Sequence, residues 1–278
     1  MREINPADIS AAVARMCVSA NTLLPEDVRK KLEEGYQNET TEAGREIFRQ
    51  LIENADLSFE TKLPLCQDCG MAVFYVEMGE EAHVAGGINK AITEGMIAGY
   101  KDGFLRKSLC HPLTRKNTGD NTPAVIHVDH VPGDRVKVSY MAKGGGSENM
   151  SRVTMLSPSQ GWEGIKKFVV QRVVEAGPNP CPPIILGIGI GGSFELAPKI
   201  AKKALLRKLD DTHPDPVIAA LEAELLEAVN TLGIGPMGLG GSYTCLGVKI
   251  AMAPCHIASL PLAVNVQCHS ARHEEAEF

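Results

Sequence analysis

The chain has 278 residues, eight of them cysteine, and a formal net charge of −6 at pH 7. Nucleic acids and anionic membranes need broad basic surfaces, so neither is an expected partner of this acidic chain. The first residues lack the apolar core of a secretory signal, and we therefore expect a cytoplasmic protein whose cysteines are reduced thiols, metal ligands or packing residues.

The first sixty residues have the spacing of amphipathic helices. Asn5 is a suitable N-cap and Pro6 a suitable first helical residue, after which apolar residues recur every three or four positions. Further helices are predicted near 26–36, 41–54 and 88–100. The N-terminal part is therefore expected to be mainly α-helical.

The apolar pattern changes in the middle of the chain. Runs 124–131 and 135–142 read as strands separated by a Pro-Gly-Asp turn, which predicts a β-hairpin. The Gly-rich turn 143–147 follows, and its backbone N–H groups can approach a ligand closely. Beyond it we predict a helix near 160–176, a buried strand over 183–190, and helices over 195–207 and 215–230.

These elements predict a mixed α/β fold, in which a helical N-terminal part is followed by mixed sheets flanked by helices. The longest uncharged stretch, 250–267, contains two prolines and is expected to be a buried segment rather than a membrane span. We expect one catalytic domain over 1–278, with room for two lobes but no visible boundary.

Three cysteines lie far apart, each in an unusual local sequence: Cys66 before Gln-Asp, Cys181 among prolines and Cys268 after Asn-Val-Gln. Their separations, 181 − 66 = 115 and 268 − 181 = 87, exclude a local finger or ferredoxin-type run. A cluster held by three cysteines leaves one iron open to act as a Lewis acid. We interpret the three thiols as ligands of one iron–sulfur cluster. The cysteines expected only to pack in the core are Cys17, Cys110, Cys245 and Cys255.

Two short motifs leave other functions open. Gly187, Gly189 and Gly192 have the spacing of a dinucleotide-binding loop, but a proline-rich turn and a helix follow where the second strand should end. We therefore favour tight strand–helix packing for these glycines. Cys66 and Cys69 have the spacing of a redox pair, although the acidic residue between them disfavours the reactive thiolate. A nucleotide-binding oxidoreductase and a redox module stay as alternatives.

Six motifs, in this order, resemble the class I, iron–sulfur-dependent fumarase and tartrate dehydratase family over about 64–272. They are Cys-Gln-Asp-x-Gly at 66–70, Leu-Arg-x-Ser at 105–108, Asn-Thr-Gly-x-Asn at 117–121, Lys-Gly-Gly-Gly-Ser at 143–147, Cys-Pro-Pro at 181–183 and Asn-Val-Gln-Cys at 265–268. The resemblance is to the N-terminal catalytic region, or α subunit. Cys69 stands where the family has threonine.

The resemblance implies a residue set for each part of a hydratase site. The implied ligands of a [4Fe–4S] cluster are Cys66, Cys181 and Cys268. The residues implied to hold the carboxylates of a 2-hydroxydicarboxylate are Gln67, Arg106, Gly145 and His256. Asp68 is implied to deliver a proton to the departing hydroxide, which makes it a catalytic residue together with His256.

The resemblance also implies a partner, because single-chain members of the family continue into a second domain that supplies the base and further cationic ligands. We therefore expect a β subunit and an assembly of two α and two β chains. The segment 146–151 is more similar to two-subunit fumarases, so fumarate is the favoured substrate. The alternative is L(+)-tartrate.

Overall fold

The computed structural model describes all residues from 1 to 278, and the chain divides into two compact units. Unit 1 contains Met1–Pro25, Ala55–Gly145 and Arg272–Phe278, and unit 2 contains Glu26–Asn54 and Gly146–Ala271. Both units are thus assembled from stretches that are distant in the sequence. This division does not test the expected single domain over 1–278, which stays a prediction.

The elements are numbered in chain order. The helices are α1 Pro6–Thr22, α2 Glu26–Asn38, α3 Glu42–Thr61, α4 Ile88–Asp102, α5 Gly145–Glu148, α6 Gly161–Ala176, α7 Leu196–Ala204 and α8 Pro216–Asn230. The strands are β1 Arg2–Ile4, β2 Met71–Gly79, β3 Ala82–Val84, β4 Val125–Val131, β5 Val136–Lys143, β6 Arg152–Leu156, β7 Ile184–Gly191, β8 Cys245–Ala253, β9 Leu260–Gln267 and β10 His273–Glu277. The predicted mixed α/β class is confirmed, and α3 continues well past its predicted end.

The first helix of unit 1 begins where the sequence predicts. The Asn5 side chain accepts a hydrogen bond from the Ala7 N–H at 3.0 Å, and Pro6 occupies the first helical position. α1 lies very close to α4, since a Cβ on Gly95 would be 2.4 Å from the Ser10 carbonyl oxygen. The apolar faces of both helices cover the sheet and form the core of this unit with it.

The main sheet of unit 1 has the order β10-β5-β2-β4. β2 is parallel to β4 and antiparallel to β5, so it separates the two strands that the sequence predicts as a hairpin. The hairpin prediction is therefore wrong. The turn 132–134 crosses the end of β2 instead, where the Gly79 N–H donates to the Arg135 carbonyl group at 2.8 Å. The pattern predicted both strands but missed β2, whose long buried run does not alternate.

The sheet of unit 2 has the order β6-β9-β7-β8, with β7 parallel to β8 and antiparallel to β9. Every residue of β7 is buried. Ile184, Leu186 and Ile188 pack into the core that α6 and α8 also enter. The opposite face of β7 lies against α7. Helices on both faces explain why this strand reads as a continuous apolar run.

The glycines of β7 are explained by helix packing. A Cβ on Gly187 would lie 2.1 Å from the Ala201 carbonyl oxygen, and one on Gly189 would lie 2.1 Å from the Ala197 carbonyl oxygen. Only a residue without a side chain allows α7 to approach so closely. The packing interpretation is confirmed, and these two glycines give no support to a dinucleotide-binding loop.

The long uncharged stretch is only partly buried. Its second half forms β9, which lies inside the sheet, but residues 254–258 are exposed in the turn from β8 to β9. Cys255 therefore does not pack in the core as expected, and Cys110 is also partly exposed, whereas Cys17 and Cys245 are buried. None of the helices combines the length and the apolar composition that a membrane-spanning segment requires.

Candidate active site

The segment 66–70 of unit 1, the Cys66 segment, is held by buried side chains. Cys66 is half-buried and Gln67 is exposed, whereas the carbonyl groups of the next three residues each accept a hydrogen bond from a buried donor. Arg272 donates to the carbonyl group of residue 68, Tyr100 donates to that of residue 69 at 2.8 Å, and Asn121 donates to that of residue 70 at 3.2 Å. These bonds fix the backbone that presents the first predicted ligand and the predicted acid.

The Asp68 carboxylate is oriented by three donors. Its Oδ1 accepts from the Gly70 N–H at 2.9 Å and from the Ser108 hydroxyl at 3.4 Å, and its Oδ2 accepts from the Gly145 N–H at 2.7 Å. Gly70 has φ +71° and lies against Lys143, where a Cβ would be 2.7 Å from the backbone. The structure thus brings Asp68 and Gly145, two of the predicted site residues, into direct contact.

Arg106 joins the same group through its backbone. Its N–H donates to Cys69 Sγ at 3.2 Å, while its side chain is exposed and makes no ion pair. The Ser108 N–H donates to Asn121 Oδ1 at 2.7 Å, which ties this segment to the segment after Cys66. The guanidinium is therefore available to a carboxylate, to which it can donate two parallel hydrogen bonds.

Cys69 is a packing residue with a polar contact. Its side chain is buried, and burial raises the pKa of its thiol, although the Arg106 N–H and the Arg272 charge act in the opposite direction. Cys66 and Cys69 are both free thiols. The thiol of Cys69 therefore receives the N–H of Arg106 and helps to position that residue.

Unit 2 brings the segments of Cys181 and Cys268 together. The Cys181 carbonyl oxygen lies 3.0 Å from His269 Nδ1, a hydrogen bond in which Nδ1 carries the proton. Cys181 is exposed and has φ +56°, a left-handed conformation that strains a residue other than glycine by about 1–3 kcal/mol. Cys268 is half-buried, and Gln267 Nε2 donates to its Sγ at 3.5 Å.

His256 lies in the exposed turn of unit 2. Its Nδ1 accepts a hydrogen bond from the Ala258 N–H at 3.1 Å, so the neutral ring carries its proton on Nε2. The turn borders a cavity of about 410 Å³ whose wall includes Trp162 and Leu221. His256 therefore offers a donor at the surface, as a residue that binds a carboxylate requires.

The predicted ligands differ in solvent access from Cys17 and Cys245, the two expected packing cysteines that are buried. Cys66, Cys181 and Cys268 are exposed or half-exposed, whereas burial raises the thiol pKa of both Cys17 and Cys245 to about 12. Iron–sulfur clusters are held by thiolates, so accessible thiols that are not in disulfides suit that group. Cys66 lies in unit 1 and the other two lie in unit 2. No group of three His, Cys, Asp or Glu side chains lies close enough to hold a metal ion, and the ligand set stays a prediction.

The residues that support this site were largely missed from the sequence. Asn121 lies in a motif that the sequence singles out, but its role in orienting the Cys66 segment was not expected. Tyr100 and Arg272 have no local signal, because Tyr100 ends an amphipathic helical pattern and Arg272 stands in the mostly polar segment 269–275. Only the fold places them beneath the same backbone segment.

Comparison with known proteins agrees with the motifs. The family model described as fumarate hydratase (fumerase) matches residues 10–277. A protein of Methanocaldococcus jannaschii named "Putative L(+)-tartrate dehydratase subunit alpha" is 44% identical over 271 residues, which are 95% of this chain and 95% of that protein. The L(+)-tartrate dehydratase subunit alpha of Escherichia coli K12 is 32% identical over 268 residues, 95% of this chain and 88% of that protein. The chain therefore belongs to the fumarate hydratase (fumerase) family of hydro-lyases.

Proposed function

We propose that this chain is the α subunit of a two-subunit class I hydratase that adds water reversibly to fumarate, forming (S)-malate. The observation that carries the proposal is the Asp68 carboxylate, which the Gly145 N–H and two further donors orient beside the Cys66 segment. A positioned carboxylic acid next to a metal-binding segment is what removal of a poor leaving group such as hydroxide requires.

The proposed cofactor is a [4Fe–4S] cluster held by Cys66, Cys181 and Cys268. The donor set fits it, since none of the three thiols is in a disulfide and all have solvent access. When bound, the cluster supplies a Lewis acid at the iron that has no protein ligand. Reduced thiols are kept in the cytoplasm, which is the proposed location.

The substrate carboxylates have donors on this chain. The Arg106 guanidinium is exposed and not engaged in an ion pair, so it can take one carboxylate with two hydrogen bonds. The Gln67 amide, the Gly-rich turn around Gly145, whose own N–H donates to Asp68, and the Nε2–H of His256 are the other proposed contacts. Asp68 then donates its proton to the hydroxyl oxygen that leaves as water.

The proposal includes a β subunit. Removal of a proton from carbon requires a base positioned opposite the leaving group, and the site residues on this chain already serve the ligand, carboxylate and acid roles. The relatives are named as α subunits. We propose an assembly of two α and two β chains in which the β subunit supplies the base and further cations.

The second candidate function is dehydration of L(+)-tartrate to oxaloacetate. It is favoured by the names of the relatives, which are 44% and 32% identical to this chain. The two reactions share the acid, the carboxylate contacts and the cluster, so the substrate preference decides between them.

The test is an anaerobic assay of the reconstituted α chain, alone and with its β subunit, on fumarate, (S)-malate and L(+)-tartrate. We expect turnover only when both subunits are present, with the highest kcat/KM on fumarate. A higher kcat/KM on L(+)-tartrate would establish the second candidate. Full activity of the α chain alone would contradict the split site, and no turnover by an iron-loaded pair would contradict both functions.

A further inference from the structure

Arg272 of unit 1 is a buried cation whose partners are all neutral. Its side chain is 1% exposed, and Nη1 donates to the carbonyl group of Asp68 and, at 3.1 Å, to Asn21 Oδ1. Its Nε has no hydrogen-bond partner. Burying a guanidinium without a hydrogen bond to a carboxylate is unfavourable for folding, so stability alone does not explain an arginine at this position.

The acceptor Asn21 is itself held in place. Its Nδ2 donates to the Cys17 carbonyl group at 2.8 Å and lies 3.4 Å from the Tyr140 hydroxyl, so its Oδ1 is directed at Arg272. The Tyr140 hydroxyl lies 3.1 Å from the Tyr100 hydroxyl, which donates to the residue after Asp68. Arg272 thus belongs to a buried network that ends on two successive carbonyl groups of the Cys66 segment.

Gly144 lies beside both the Arg272 guanidinium and the Asp68 carboxylate. A Cβ on Gly144 would lie 3.2 Å from Arg272 Nη2 and 3.3 Å from Asp68 Oδ2. Its φ is not in the left-handed region, so glycine is not needed there for the backbone. At Gly144, therefore, no side chain separates the guanidinium from the carboxylate that Gly145 also holds.

We propose that Arg272 is a positioning residue of the hydratase site, which fixes the backbone of Asp68 and places a positive charge on the inner side of this acidic residue. The inference rests on the proposed function. Arg272 is 1% exposed and bonds to the backbone of Asp68. Its effect passes through the orientation of Asp68, so it acts on turnover rather than on substrate binding.

The first test uses the apoprotein and does not depend on activity. Hydrogen exchange, read by mass spectrometry, is compared in Arg272→Gln and Arg172→Gln over the peptide 64–73. Arg172 is the matched control, because it is also a buried arginine with an unpartnered Nε but lies in unit 2. We expect faster exchange over 64–73 in Arg272→Gln alone. Unchanged exchange in a folded Arg272→Gln protein would overturn the proposal.

The second test measures iron content, kcat and KM of the same variants with the β subunit. In Arg272→Gln we expect wild-type iron content, little change in KM and a kcat lower by about 10- to 100-fold, the usual effect of removing a residue that orients a ligand. Arg272→Lys should recover most of kcat, because an ammonium can donate both hydrogen bonds of Nη1. Arg172→Gln should keep the wild-type kcat.

Three results would overturn the proposal: wild-type kcat in Arg272→Gln, a change confined to KM, or an equal loss in the Arg172 control. If Arg272→Gln does not fold, Gly144→Ala replaces it, since the added methyl group separates the guanidinium from the carboxylate and should lower kcat with wild-type iron content. An inactive wild-type pair would contradict the proposed function, whereas the exchange result would still decide the role of Arg272.

Discussion

The segments that carry the three predicted cluster ligands are held in different ways in the two units. In unit 1, the Cys66 segment lies on buried donors that fix three successive carbonyl groups. In unit 2, Cys181 is exposed in a strained conformation, and its carbonyl group bonds to the partly exposed His269. The segment with the proposed acid is fixed by a buried network, whereas Cys181, proposed to supply only a thiol, is exposed and has a left-handed backbone.

The largest expected effect tests whether both kinds of segment serve one cluster. Serine at Cys66, Cys181 or Cys268 should abolish the cluster, because the hydroxyl is a poor iron ligand, whereas wild-type protein should hold about four irons per chain. Iron analysis after anaerobic reconstitution measures this. Serine at Cys17 or Cys110 is the control and should retain the iron. A full cluster in any of the first three variants would remove that residue from the ligand set.

The next prediction tests the acid role of Asp68 separately from the ligand role of Cys66. Asp68→Asn should keep the iron but lower kcat by about 10²- to 10⁴-fold, since an amide cannot donate a carboxylic proton. Steady-state kinetics of the αβ pair, with iron content verified, measures the change. Near wild-type turnover would exclude Asp68 as the acid.

A smaller effect is expected for Arg106, whose side chain is exposed. Arg106→Lys should raise KM about 10-fold, equivalent to about 1.4 kcal/mol, because the planar fork that engages both carboxylate oxygens is lost. The Arg106 N–H bond to Cys69 is retained in this variant, so the fold and the iron content should not change. An unchanged KM would place the carboxylate elsewhere.

Thiol labelling compares the predicted ligands with the buried cysteines and needs no activity assay. At pH 8, iodoacetamide should label the three predicted ligands of the apoprotein and should not label Cys17 or Cys245, whose buried thiols have a pKa of about 12 and stay neutral. Mass spectrometry of the native apoprotein locates the label. Labelling of Cys17 as fast as Cys66 would show that unit 1 opens in solution.

The smallest effect concerns the backbone of Cys181. Because its φ is +56°, Cys181→Gly should leave the apoprotein more stable than Cys181→Ala by about 1 kcal/mol, the usual penalty of left-handed backbone for a residue with a side chain. Chemical denaturation compares the two variants. Equal stability would mean that the strain is absent in solution.

Short-range patterns were sufficient for most elements and for the motif residues. The cap at Asn5, the helices of the N-terminal part and the buried strand before Gly192 were all predicted, because each depends on neighbours a few positions away. The glycines of β7 were also interpreted correctly as packing residues. The motifs further placed the chain in its family, which the comparisons confirm.

The partner of each strand was decided only by the tertiary structure. The two middle strands were predicted but paired wrongly, since alternation shows which face of a strand is buried and not which strand lies beside it. The exposed turn with Cys255 and His256 was likewise expected to be buried, because composition alone does not show where a chain leaves the sheet.

The sequence by itself determined the family of this protein and its candidate thiols, acid and guanidinium. The tertiary structure decided what holds them, since Arg272, Tyr100 and Asn121 come from distant parts of the chain to three adjacent carbonyl groups. A buried polar side chain must find a partner wherever the fold offers one, and that partner is set by packing over long sequence separations rather than by any local pattern.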